Sequence, residues 1–170
     1  MNAHTRQAPL GMFDSGVGGL TILREVQRQL PAENVLYVAD QAHVPYGSRA
    51  LENVCQLSFA ITQFLLDQGA KLIVVACNTA SAASLHALRE RYPKVPFVGM
   101  EPAVKPAAEE TKTGTVGVLA TPATFEGELF ASVVERFAEG VTVLQMTLPG
   151  LVEQIEKGEL DTAATRSILE

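Results

Sequence analysis

Cysteine and histidine are scarce in this chain, and clustered charge is missing altogether. Its 170 residues hold two cysteines and three histidines. Cys55 and Cys77 stand in no CxxC or Cys/His spacing and His4, His43 and His86 are scattered, which argues against a structural zinc site; no residue is assigned to a metal. The 13 Lys and Arg are outnumbered by 19 Asp and Glu, giving a formal net charge of -6 without any basic block. That argues against a nucleic-acid footprint and a polybasic membrane surface, and leaves a small molecule as the expected ligand. No apolar run approaches the ~20 residues of a membrane span, and the opening MNAHTRQAPLG lacks the charged and then apolar regions of a signal peptide. The expected compartment is the cytoplasm, with both thiols reduced. A GxSxG segment is also missing, so no Ser-His-Asp order suggests itself.

What is present is enough apolar material for a core: 47% of residues are hydrophobic and mean hydropathy is +0.16. The length suits one ordinary domain, or one small lobe and part of another. After a polar leader of about nine residues, residues 10–13 read as a strand that runs into the glycine-rich turn of residues 14–19. Leu20, Leu23, Val26 and Leu30 recur at helical spacing up to Pro31, residues 34–39 form a second strand, and residues 40–48 form a loop punctuated by Pro45 and Gly47. Leu51, Val54, Cys55, Ile61, Phe64 and Leu65 mark the inner face of a long helix stopped by Gly69, which makes Cys55 an inert core thiol. Residues 72–76 are a continuous apolar run, as expected of a central parallel strand. An alanine-rich helix follows, with His86 toward solvent, and then a strand over residues 95–100.

The proline-bracketed, polar stretch 100–114 is the expected boundary between a first lobe, residues 1–100, and a second, residues 101–170. Beyond it come a strand over 115–120, the loop TPAT, a helix carrying Phe125 to Phe137, a strand over 141–146, and a short helix with Pro149 in its first turn and Gly158 as its stop. Asp161 is the expected N-cap of a last helix, and the second lobe reads as cut short, with too little apolar surface to close its own core. This alternation predicts an α/β fold, a doubly wound parallel sheet in two similar lobes with the second incomplete, and ligands at the carboxyl ends of the strands.

That rule places Asp14 and Ser15, then Pro45, Tyr46 and Gly47, then Cys77, Asn78 and Thr79 on one rim, with Thr121 and Thr124 at the same kind of position in the second lobe. Cys77, at a strand end and helix start, meets the positive end of a helix dipole and unpaired N–H groups, and both favour thiolate. A small buried apolar residue is the competing reading. Asp14 either caps the following helix or pairs with a substrate ammonium and modulates the nearby thiol. Asn78 and Thr79 serve either as N-cap residues or as uncharged partners for a ligand carboxylate, and Tyr46 is a candidate loop anchor. The run GVGGLT departs from GxGxxG, and Asp14 would repel a pyrophosphate, so a dinucleotide is disfavoured; the turn's N–H groups suit a carboxylate instead.

DSGVGG at residues 14–19, PYGSR at 45–49, VVACNTAS at 74–81 and EPA at 101–103 resemble, in order and spacing, the successive motifs of the bacterial glutamate racemases of the aspartate/glutamate racemase superfamily. The likeness continues through GTVGVLATPAT and PGLVEQIEKGEL. What the resemblance implies is an isomerase that interconverts L- and D-glutamate by cofactor-independent two-base proton transfer and supplies D-glutamate for peptidoglycan, hence for the cell wall and cell shape. Cys77 would be one acid/base. Asp14, Ser15, Pro45, Tyr46, Gly47, Asn78, Thr79, Thr121 and Thr124 match the family's substrate-contacting positions. The implied partner is the substrate glutamate, with no cofactor, nucleic acid or membrane, and a homodimer as the assembly.

In that family a second cysteine lies in a Gly-Cys-Thr-His motif of the later half, and no such motif occurs in these residues. Cys55 has helical neighbours that do not match it. His43 stands where the family often has arginine, and Leu148 where it often has cysteine. The expectation is therefore an N-terminal portion of a glutamate racemase with little or no activity by itself. A one-thiol enzyme acting on a dicarboxylate and a non-catalytic amino-acid-binding protein are the alternatives.

Overall fold

Short apolar runs build the first sheet from β1 (Leu10–Asp14), β2 (Val35–Ala39), β3 (Leu72–Val75) and β4 (Phe97–Gly99), all parallel in the order β2-β1-β3-β4. The computed structural model describes residues 7–170, so the first six residues of the leader, His4 among them, lie outside the described residues. Among the described residues three helices cover this sheet: α1 (Leu20–Gln29), α2 (Leu51–Asp67) and α3 (Asn78–Arg91). Strand alternation sends Phe13, Ile73, Val75 and Phe97 to one face, where they meet Val54 and Leu65 of α2 and Leu85 and Leu88 of α3. Met12, Val74 and Ala76 point to the other face, under Ile22 and Leu23 of α1. Covered on both sides, β1 and β3 are the buried centre of a parallel sheet, which is why their sequences are continuously apolar.

A second parallel pair, β5 (Thr115–Leu119) and β6 (Thr142–Met146), is accompanied by α4 (Val104–Glu110), α5 (Pro122–Glu126), α6 (Glu128–Phe137), α7 (Leu151–Glu156) and α8 (Ala163–Leu169). Val104, Phe130, Val133 and Ala138 form its core with Val118 and Val143.

Local departures from the sequence reading have physical causes. The stretch read only as a lobe boundary contains α4, because Pro106 falls in the first helical turn, where its missing N–H breaks no intrahelical bond, and Val104 is wholly buried. The helix expected after TPAT is two helices, α5 and α6, interrupted by extended backbone at Gly127, where a Cβ would lie 2.6 Å from Ala82 Cβ on α3. Phe64, expected on the inner face of α2, is 49% exposed; the buried stripe runs through Val54, Ser58, Thr62 and Leu65, and Phe64 points about 100° away from Leu65. Ser58 tolerates burial by donating to the Val54 carbonyl at 2.8 Å. Pro149 lies ahead of α7 rather than in its first turn, with Gly150 between them at φ 88°. Thr162, not Asp161, caps α8: its hydroxyl accepts the Thr165 N–H at 3.2 Å, while Asp161 pairs with Arg166.

Candidate active site

β1 delivers Asp14 as a buried acid at the carboxyl edge of the sheet. Asp14 Oδ1 accepts the Ser15 N–H at 2.7 Å and the Ser15 hydroxyl at 3.3 Å, and Oδ2 accepts the Gly19 N–H. The glycine turn thus wraps the carboxylate with backbone donors, ahead of α1, which has no side-chain cap. From β2, Tyr37 supports the same turn by donating its hydroxyl to the Gly16 carbonyl at 3.2 Å. Burial and the charge of Asp14 hold that phenol well above its ordinary pKa.

β3 delivers Cys77, which is itself the N-cap of α3. Its Sγ accepts the Ala80 N–H at 3.4 Å and lies 3.8 Å from the Ser15 hydroxyl. Asn78 and Thr79 are therefore the first residues inside the helix and not its caps. The Ala80 and Ser15 donors favour thiolate, as a helix N-terminus should, but they are outweighed. Burial first, and the Asp14 charge second, push the Cys77 thiol up from 9.0 to about 11. The net direction is the reverse of what the helix end alone predicts.

The loop after β2 is anchored from below. Tyr46 is fully buried, and its hydroxyl donates to Asp40 Oδ2 at 2.6 Å; the same carboxylate lies 2.8 Å from His43 Nδ1. Burial, then the Asp40 hydrogen bond and charge, raise the Tyr46 phenol. With the phenol so fixed, the next residue reaches across to the second sheet's elements. The Gly47 carbonyl accepts the Ala123 N–H at 3.4 Å, and a Cβ at Gly47 would lie 2.6 Å from Thr121 Cβ. Thr121, the N-cap of α5, stands 2.9 Å from Thr79 Oγ1, and Thr124 Oγ1 lies 3.2 Å from Thr79 and 2.9 Å from Thr121.

The residues named from the sequence thus gather into two contact groups. Asp14, Ser15 and Cys77 form one, and Thr79, Thr121 and Thr124 form the other; residues 77–79 join them. Gly47 touches the second group, exposed Asn78 lies beside Cys77 in the chain, and half-buried Pro45 lines a cavity of about 270 Å³ with Gln41, Val44, Glu153, Glu156 and Lys157. Cys55 is a half-buried residue of α2 and joins neither group. Sequence reasoning missed Asp40 and Glu156. Asp40 was detectable, since it directly follows β2 on the rim where Asp14 ends β1. Glu156 was not: it lies on α7, yet both its carboxylate oxygens accept the Val17 N–H, at 3.1 and 3.2 Å, and Gln41 Nε2 reaches it at 3.4 Å. Among the described residues no three His, Cys, Asp or Glu converge as a metal site, and no helix is long and apolar enough to cross a membrane.

A family model described as Asp/Glu/Hydantoin racemase matches residues 13–170. A protein named glutamate racemase from Roseiflexus sp. (strain RS-1) is 58% identical over 161 residues, covering 95% of this chain and 59% of that protein. The crystal structure of Escherichia coli glutamate racemase with L-glutamate and the activator UDP-MurNAc-ala superposes with TM-score 0.83 at 36% identity, covering 95% of this chain and 63% of that one. Glutamate racemase from Francisella tularensis, in complex with D-glutamate, gives TM-score 0.81 at 30% identity and coverages of 96% and 61%. This chain therefore spans less than two thirds of the length of the relatives it matches, in their N-terminal part.

Proposed function

Because the chain belongs to the Asp/Glu/hydantoin racemase family, we propose that its rim binds glutamate and supplies one of the two proton carriers of a cofactor-independent glutamate racemase. The observation that carries this reading is the buried Cys77 thiol, set between the Ser15 hydroxyl, the Ala80 N–H and the charge of Asp14. Asp14 is the partner for the substrate ammonium. Its charge opposes ionisation of Cys77, so a cation seated beside it removes that opposition, and the thiol becomes a usable base when substrate is in place.

Asn78, Thr79, Thr121 and Thr124 offer uncharged donors to the α-carboxylate. When the Cys77 thiolate takes the α-proton, the C–H bond breaks, the proton moves to Sγ and the electron pair spreads into the carboxylate, where fixed donors stabilise it away from water. A second thiol on the opposite face returns a proton to the carbanion. By resemblance that thiol belongs to the Gly-Cys-Thr-His motif of the family's later half. Relatives crystallised with L-glutamate and with D-glutamate support glutamate as the substrate, and the D-enantiomer would serve peptidoglycan synthesis in the cytoplasm.

The test is calorimetric binding of L- and D-glutamate to the chain, together with turnover once the chain is joined to the remaining C-terminal part of the Roseiflexus relative. Both enantiomers should bind, Asp14→Ala should abolish binding, and Cys77→Ser should leave binding while lowering turnover by roughly 10²–10⁴-fold. Glutarate, which lacks the ammonium, should bind far more weakly than glutamate. Equal binding of glutarate, or turnover indifferent to Cys77→Ser, overturns the proposal.

A further inference from the structure

Ser81 and Ser84 lie three residues apart on α3, each 1% exposed, yet their hydroxyls are used differently. Ser84 donates to the Ala80 carbonyl at 2.6 Å, the local partner four residues back that a buried helical serine takes. Ser81 reaches outside its helix. Its hydroxyl donates to the Val75 carbonyl on β3 at 3.1 Å and accepts the Met100 N–H at 2.9 Å. Those two backbone groups face each other at the end of the β3–β4 ladder, whose last register pair is Val75 with Gly99. Ile73, two residues earlier, donates its N–H to the Pro96 carbonyl at 3.0 Å, and the same parallel alternation aims the Met100 N–H at the Val75 carbonyl. The Ser81 hydroxyl therefore stands in the last rung of the sheet and keeps both backbone groups partnered.

That rung adjoins Cys77. The Ser81 N–H donates to the Cys77 carbonyl at 2.9 Å, so Ser81 grips the carbonyls of residues 75 and 77, on either side of the bend that turns β3 into α3. Met100 in turn begins the connection of residues 100–103 that leads to Val104, wholly buried in the second core. We propose that Ser81 is a positioning residue for Cys77: its hydroxyl fixes the end of β3 and the start of that connection, and so sets where Sγ stands against Ser15 and Asp14. The inference rests on the reading of Cys77 as a proton carrier and gives Ser81 no contact with substrate. Without the hydroxyl, the Val75 carbonyl and the Met100 N–H either each lose a partner or close directly on each other. Both outcomes move the strand end beneath Cys77, whose Sγ meets the Ser15 hydroxyl at 3.8 Å, a contact that a small displacement breaks.

The experiment compares Ser81→Ala with Ser84→Ala, the same deletion at an equally buried place on the same helix, both in a Cys55→Ala background. Iodoacetamide should alkylate Cys77 roughly fivefold faster or more in the Ser81 variant, because loosening the bend opens a buried thiol, and at an unchanged rate in the Ser84 variant. In the chain joined to the remaining C-terminal part of the Roseiflexus relative, Ser81→Ala should lower kcat about tenfold and leave KM nearly unchanged, since the hydroxyl touches no substrate. A further measurement needs no variant to fold. In the unaltered chain the Met100 amide, although it lies beyond β4, should exchange at least roughly tenfold more slowly than that of Glu101. Equal alkylation of the two serine variants, an unaltered kcat in Ser81→Ala, or a Met100 amide as fast as Glu101 overturns the proposal. Alkylation and amide exchange use neither glutamate nor turnover, and turnover indifferent to Cys77→Ser counts against the racemase reading alone, so the two failures are distinguishable.

Discussion

At the scale of single residues, the decisive feature is a thiol that its own fold makes reluctant to ionise. The position of Cys77 was legible because an apolar strand followed by small polar residues can only end one element and begin another. The direction of its pKa was not, because burial and the approach of Asp14 are set by strands distant in sequence. Two measurements follow from that direction. Asp14→Asn removes the charge while keeping an acceptor for the turn, so Cys77 should titrate at lower pH than in the unaltered chain, read as thiolate absorbance in a Cys55→Ala background; an unchanged or higher value would show that Asp14 does not act on the thiol. The second concerns stability. Cys77 ionises near 9.0 when unfolded and near about 11 when folded. Between those values the unfolded chain has lost a proton that the folded chain keeps, so stability falls as pH rises. The loss through this window should be roughly 2–3 kcal/mol by linkage, and should be missing from Cys77→Ser when the two are compared by urea unfolding.

Elements were read best where periodicity alone decides them, and worst at their ends, where one side chain chooses between neighbours. Among the described residues all six strands follow apolar runs that the sequence displays. The cap of α8 does not: Asp161 and Thr162 are both good cap residues, and only the geometry assigns the Thr165 N–H to Thr162. Thr162→Ala should therefore cost about 1 kcal/mol, whereas Asp161→Ala, which loses only an exposed pair with Arg166, should cost a few tenths. Thermal melts of the two variants distinguish the assignments, and the opposite order would return the cap to Asp161. The same limit hid the break at Gly127, since nothing local to residues 122–137 announces that α3 passes within contact of it. Gly47 is the loop counterpart. An alanine there drives a methyl into Thr121, so Gly47→Ala should destabilise by about 1–3 kcal/mol as overpacking does, with the loss appearing in α5 amide exchange as well as in the loop.

At the scale of the whole molecule, two sheets with separate cores meet where α3 packs beside α5, and there the hydroxyls of Thr79, Thr121 and Thr124 form a triangle. The rule that ligands sit at carboxyl ends of strands put all three threonines on the rim from sequence, but it specifies an end of a sheet and not a distance. That Thr79 lies 2.9 Å from Thr121 is tertiary information, fixed by how α3 packs beside α5. Its consequence is testable apart from any catalysis. Thr79→Val keeps the volume and removes the hydroxyl, yet Thr121 and Thr124 still satisfy each other at 2.9 Å, so no buried group is left without a partner. The cost should therefore be that of a net hydrogen bond, about 1 kcal/mol, and not the larger penalty of an orphaned donor. Because the substituted residue is on α3 while its partners are on and before α5, the diagnostic readout is amide exchange in α5, which should quicken in Thr79→Val and recover in Thr79→Ser. Unchanged α5 exchange would mean that the packing of α3 against α5, rather than the hydroxyls, holds the two sheets at the rim. A cost well above 2 kcal/mol would mean that Thr121 and Thr124 cannot pair once Thr79 is gone.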